Sequence, residues 1–243
     1  MYLYLYAPFL RNKKYARELA LIEGRVTDFG ISGKISQLSQ FLKFPAAVKE
    51  FGLKRLKTLV LVGDDALLEE AVNAFAKTSV ILGYIPAVKS NYAPELAIPD
   101  GLAAVDALAA RRIIKLDLGR IGEKYFLGKV CGEGKGLDVH TPTFSIFPKG
   151  FTRVEIVNLG DGENGNDGLL TVRVTPFKRT WWSREPEETT VLKIASCRLK
   201  AVRPISVNCG ASGVVKTPIQ VDIIPEAIRM IGGRRTARRV SSK

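Results

Sequence analysis

The chain has 243 residues, 46% hydrophobic and 25% charged, the balance of an ordinary globular protein with length for one large core or two smaller ones. No apolar run approaches the roughly 18 residues that cross a bilayer as a helix. Three widely spaced cysteines, Cys131, Cys197 and Cys209, form neither a zinc pattern nor a disulfide framework, which points to a reducing cytoplasm.

The first half alternates between strand and helix patterns. Residues 1–6 (MYLYLY) alternate without a basic start, so they read as a strand and not a signal peptide. Residues 13–29 read as an amphipathic helix with Leu19, Ile22, Val26 and Phe29 on one side and Gly30 as its stop. Residues 34–38 are a second strand and 46–56 a weaker helix.

The most informative stretch follows. Leu59 to Val62 is short, apolar and partly β-branched, as suits a parallel strand covered on both faces. Gly63 allows an unusual backbone angle at its carboxyl end. Asp64 and Asp65 are placed to cap a helix whose apolar face is Leu67, Leu68, Ala71, Val72 and Phe75. Ligands of open α/β sheets bind beyond such strand ends, so the two carboxylates are either helix caps or part of a nucleotide site. Residues 79–85 form another strand and 101–111 an alanine-rich helix. This alternation predicts βαβ units and a parallel sheet.

From Ile113 onward strand patterns predominate, at 113–118, 125–130, 143–147, 153–157, 169–174, 190–195, 205–208 and 219–224. Turn signals such as Gly160-Asp161-Gly162 and Asn166-Asp167-Gly168 separate them. The second half is therefore a mostly antiparallel β domain.

The order of these parts, with several motifs, resembles the diacylglycerol kinase catalytic-domain family. That family includes bacterial lipid kinases and sphingosine kinases and is distantly related to NAD kinases. Its signature after the third strand is Gly-Gly-Asp-Gly-Thr. Here the matching residues are Val62, Gly63, Asp64, Asp65 and Ala66, and Glu69 matches a position in the following helix. Its next signature, Pro-x-Gly-Thr-x-Asn-Asp-Phe-Ala ending near Gly-Ile-Pro, reads Pro86-Ala87-Val88-Lys89-Ser90-Asn91-Tyr92-Ala93, closing at Ile98-Pro99. Thr217-Pro218 and the run Ile224-Pro225-Glu226-Ala227-Ile228 match late motifs, and Asn166 to Leu170 looks like an Asp-Gly-x-Leu turn, though a plain hairpin turn explains it better.

The resemblance implies an NAD-kinase-like α/β domain over 1–112, a β-sandwich-like domain over 113–218 and a last strand at 219–231 returning to the first domain; beyond it, Gly232-Gly233 followed by five positive and no negative charges reads as a basic disordered tail at 232–243. It implies ATP and Mg2+ at Gly63, Asp64, Asp65 and Asn91, and a lipid hydroxyl as phosphoryl acceptor. The departures count against turnover. Glycines and the threonine that let phosphates approach backbone N–H groups are lost. Asp65 puts a carboxylate where a glycine faces phosphate, which repels ATP unless a bound magnesium reverses the sign. Ala7-Pro8-Phe9 stands where the family has Asn-Pro and then Ser or Gly. Cys209-Gly210-Ala211 stands where it has Asp-Gly-Glu, the suspected general base and a nucleotide or metal ligand. The expectation is a lipid-kinase-like protein, catalytically impaired. The alternative is a non-catalytic binding or regulatory relative for an anionic lipid, protein or nucleic-acid partner.

The rest of the chain offers less. His140 is the only histidine and has no nucleophile signature near it, so it reads as a surface turn. Gly132-Glu133-Gly134-Lys135-Gly136 imitates a phosphate loop but reads as a flexible connection. Lys89 reads as a solvated loop lysine. The +13 charge, of which five units lie in residues 234–243, favours an anionic membrane surface or lipid as partner, hence a cytoplasmic protein with a peripheral place at a membrane. Trp181-Trp182, beside Lys178, Arg179 and Arg184, suits core or partner packing first, a membrane interface second and nucleic acid third. Oligomerisation is left open.

Overall fold

The computed structural model describes residues 2–39, 41–52, 56–179 and 183–233. Trp181-Trp182 and the basic tail at 234–243 lie outside the described residues. The chain divides into two compact units. Among the described residues, the first comprises those within 2–71, 79–114 and 229–233, and the second those within 72–78 and 115–228.

The first unit is built on strands β1 (Tyr2–Tyr6), β2 (Lys34–Gln37), β3 (Thr58–Gly63) and β4 (Ile81–Pro86). Its helices are α1 (Ala16–Asp28), α2 (Phe44–Phe51), α3 (Asp65–Phe75) and α4 (Ala103–Ala110). The sheet order is β2-β1-β3-β4, every pairing parallel. β3 is buried at all six positions, as its continuous apolar run requires. The predicted helix at 13–29 is split. Lys13–Tyr15 is a single 3-10 turn, with Asn12 accepting from the Lys14 amide, and α1 begins only at Ala16. Gly30 does end it, at φ +64°, with the Ile31 N–H reaching back to the Val26 carbonyl. Phe29 is not on the buried side: it is 43% exposed and lies under the Arg25 guanidinium.

The second unit carries fifteen strands in whole or part: β5 (Ile113–Ile121), β6 (Lys124–Phe126), β7 (Lys129–Lys135), β8 (Leu137–His140), β9 (Ser145–Ile146), β10 (Phe151–Val157), β11 (Leu159–Gly160), β12 (Glu163–Asn164), β13 (Leu170–Arg179), β14 (Arg184–Pro186), β15 (Thr190–Ile194), β16 (Ser196–Ala201), β17 (Ser206–Asn208), β18 (Val214–Lys216) and β19 (Ile219–Ile231). One sheet runs β14-β13-β10-β7-β17-β18, with β15 also on β13. The other layer follows β19-β16-β8-β9. Inward residues of both layers, among them Val154, Ile156, Val172, Leu199 and Val221, form one apolar core. This is the antiparallel sandwich expected of alternating strands. β19 changes unit at its end: Arg229 and Met230 pair in parallel with Ile81 and Leu82 of β4.

Two expectations are corrected here. Residues 132–136 are not a flexible connection. They belong mostly to β7, where Gly134 lets Ile205 lie against the strand: a Cβ there would meet Ile205 at 2.4 Å. His140 is not in a turn but ends β8, with Nδ1 2.8 Å from Ser145 Oγ and its ring edge-on to Phe147.

Candidate functional site

The end of β3 places the predicted residues together, for reasons partly different from those expected. Gly63 is not in the left-handed region. Its lack of a side chain matters because a Cβ would lie 2.6 Å from Ala7 Cβ and 3.2 Å from Leu67. Ala7 itself is buried, its N–H bonded to the Val62 carbonyl at 2.9 Å. The residue that departs from the family's Asn thus packs on the glycine that is retained.

Asp64 caps α3. Its Oδ1 accepts the Leu67 N–H at 3.0 Å, satisfying one of the donors that a helix start leaves without an intrahelical partner. Asp65 does something the sequence did not reveal. Its Oδ1 accepts the hydroxyls of Tyr84 at 3.0 Å and Ser90 at 2.5 Å, and its Oδ2 accepts the Asn91 N–H at 2.8 Å. Ser90 Oγ in turn accepts the N–H groups of Tyr92 and Ala93, both at 3.0 Å. One turn along α3, Glu69 is buried and receives the Tyr92 hydroxyl at 2.5 Å. Asp65 and Glu69 are four residues apart, on one face of the helix. Together they strap the loop after β4 to the helix that follows β3.

This geometry accounts for two perturbed tyrosines. Burial first, and the nearby Asp65 second, raise the Tyr84 phenol above its ordinary range. Burial, and then the Glu69 charge and hydrogen bond, do the same for Tyr92. Both phenols stay neutral and serve as donors.

Asn91 contributes its backbone N–H to this cluster and its side chain is exposed. Lys89 is exposed. Tyr84, Ser90 and Tyr92 went unrecognised as partners of the acidic turn. A serine or tyrosine carries no pattern that names a carboxylate two dozen residues away. Among the described residues, no group of three His, Cys, Asp or Glu side chains is gathered for a metal ion.

The late motifs lie in the second unit. Cys209 is buried, and residues 210–212 form a 3-10 turn with Gly210 N–H on Asn208 Oδ1 at 2.9 Å. Burial is the main cause of its raised thiol pKa. Asp117, a lone acid in an apolar strand, belongs to no motif and went unrecognised. It is 3% exposed and joins two motifs: Oδ1 accepts the Glu226 N–H and Oδ2 the Gly168 N–H, each at 2.8 Å. The Asn166-Asp167-Gly168 turn is therefore anchored to a buried carboxylate, and it is not the expected hairpin turn, since β12 pairs with β11 and β13 with β10, β14 and β15.

No protein-family profile and no curated protein matches the chain. Solved structures do. A crystal structure of a diacylglycerol kinase from Bacillus anthracis str. Sterne is 14% identical, with a TM-score of 0.78, covering 96% of each chain. A putative diacylglycerol kinase from the same source is 14% identical at a TM-score of 0.79, covering 96% of this chain and 97% of that one. Another structure of a putative diacylglycerol kinase from Bacillus anthracis str. Sterne is 13% identical at 0.79, covering 96% of both. The chain therefore has the diacylglycerol kinase-like fold along nearly its whole length, in accord with the resemblance carried by its motifs.

Proposed function

We propose that this chain is a lipid-kinase-like protein with impaired ATP-dependent phosphoryl transfer to a lipid hydroxyl. The observation that carries this reading is the commitment of Asp65. A helix start after a strand is an anion site, with free N–H donors and a favourable dipole. Here two carboxylates of the chain already sit at that start. Asp64 occupies one N–H as a cap, and Asp65 takes three donors from Tyr84, Ser90 and Asn91.

The residues present do not fit a Mg2+-ATP site of the kind the resemblance implies. A phosphate at this turn would meet the Asp65 charge instead of bare backbone. A magnesium ion taking Asp65 as a ligand would have to displace hydrogen bonds that hold the loop after β4. The Cys209 and Ala211 positions add to the case, since a buried thiol with a raised pKa and a methyl group supply neither base nor ligand.

The same strap supports a second reading, a non-catalytic binding protein that keeps the fold. Calorimetric titration with ATP, with and without magnesium, separates the two readings from an active kinase. The expected result is weak or absent binding. Magnesium-dependent transfer of labelled phosphate to diacylglycerol or a sphingoid lipid, abolished by Asp64→Ala and retained by Asp64→Asn, would overturn the impairment.

A further inference from the structure

The seven-stranded sheet has two edges, and they are finished differently. β18 closes one with three residues, Lys216 among them, and Pro218 follows. On the other side β14 and β15 both lie against β13. Arg184 stands opposite Arg179 and Ile194 opposite Leu170, so residues 184–194 follow β13 with one residue to spare, a bulge between the two strands. The first part of this edge is guarded: Arg184, Glu185, Pro186, Glu187 and Glu188 supply charge, a proline and the bulge. β15 has no such guard apart from Lys193, and that charge is spent, with Nζ 3.0 Å from Asp167 and 3.3 Å from Glu163. Among the described residues β15 pairs with β13 and with no other strand. Val191 is 57% exposed, and Leu192 and Ile194, which pack on the core, are only partly buried.

An open, β-branched edge is a template for another strand. Charge and symmetry select a second copy of this chain as that strand's source. The chain carries +13, which sets its copies against one another. Beside β15, however, Lys129, Arg173 and Lys193 each meet two carboxylates. Residues 184–194 themselves hold three carboxylates and two cations, so this edge is slightly acidic in a basic chain. Two copies can approach here with little repulsion, whereas a polyanion finds little to hold. Antiparallel pairing about a twofold axis at Val191 sets that exposed side chain against its own image. It also brings Lys193 of one copy beside the end of the other strand, where Glu187 and Glu188 precede β15. Parallel pairing would instead stack Lys193 on Lys193.

We propose that β15 pairs antiparallel with β15 of a second copy, about a twofold axis at Val191, joining two seven-stranded sheets into one. The contact uses neither the acidic turn nor a nucleotide, so it stands whether or not the chain has kinase activity.

The test is sedimentation velocity of the full chain at rising concentration, where a reversible dimer is expected. Val191→Lys places like charges opposite each other and should weaken the dimer at least about tenfold. Val214→Lys, at a position 61% exposed on the β18 edge, should weaken it no more than about twofold. Thermal unfolding checks each variant. Val191→Cys probes the register separately and carries the test if Val191→Lys does not fold. Under mild oxidation it should cross-link into a dimer on a non-reducing gel, whereas Val214→Cys and the wild type, with its three free cysteines, should not. A wild type that stays monomeric would overturn the proposal, even if the edge takes up a strand of another protein. So would a dimer weakened equally by both lysine variants or by neither, or cross-linking no faster for Val191→Cys than for Val214→Cys.

Discussion

Tyr92 donates its hydroxyl to Glu69 at 2.5 Å, joining the loop after β4 to a carboxylate that is only 6% exposed. A hydrogen bond to a charged group contributes about 1.5–3 kcal/mol, and removing the donor leaves the buried acceptor short. Tyr92→Phe should therefore lower unfolding stability by about 2 kcal/mol. Denaturant titration of the single variants and of Tyr92→Phe with Glu69→Gln forms a double-mutant cycle. Strict additivity would contradict a direct bond.

Alkaline pH tests the same region from another side. Four of the seven tyrosines, Tyr4, Tyr6, Tyr84 and Tyr92, have phenol pKa values raised above the ordinary 10, burial being the largest cause in each. The fold binds their protons more tightly than the unfolded chain does. Their contribution is therefore fully present below pH 10 and is lost as pH climbs beyond it. Phenolate absorbance should show these four ionising late, together with collapse of the near-ultraviolet circular dichroism. Ionisation of all seven with the dichroism intact would refute the assignment.

Gly63 and Ala7 offer a compensation test. Gly63→Ala inserts a methyl 2.6 Å from Ala7 Cβ, an overpacking expected to cost about 1–3 kcal/mol. Ala7→Gly in the same chain removes the clash and should recover part of that loss. No recovery would mean that the glycine is needed for something other than this contact.

The two adjacent aspartates should behave differently. Asp64→Ala removes a cap worth about 1 kcal/mol, and Asp64→Asn should restore most of it. Asp65→Ala removes the acceptor of three donors. Hydrogen exchange at the Asn91 amide should then speed up by at least about tenfold, with about 2 kcal/mol or more lost in unfolding. Similar exchange at Asn91 in both variants would argue against the strap.

The thiols give a simple check on the core. Burial raises all three, pushing Cys197 up to about 12. Because the thiolate is the reactive form, alkylation of the folded chain at neutral pH should run far slower than in denaturant. Rapid labelling of Cys197 in the native protein would show that β16 is not packed as described.

The parallel first half was legible because its strands are continuous apolar runs and its helices show a 3.6-residue period, as in Leu59–Val62 and Leu67–Phe75. β8 and β16 escaped notice because LDVH and SCRLKA are short and interrupted by charge. The acidic turn was legible as a place but not as chemistry. Sequence spacing offers cap or ligand as roles for Asp65, whereas its partners come from β4 and the loop beyond it. Asp117 is a further case: a single acid in an apolar strand belongs to no motif, and its meaning required Gly168 and Glu226 to be brought to it in space.

The passage of β19 from one unit to the other bears on how the chain matures. The second unit holds all of its residues once Ile228 has been made. The first must wait for Arg229 and Met230 before the outer edge of β4 is paired, although β4 itself was synthesised nearly 150 residues earlier. During that interval an apolar parallel strand has an unpaired edge, a template for wrong pairing. Stalled or truncated translation products ending before Arg229 would thus be the species most prone to aggregate.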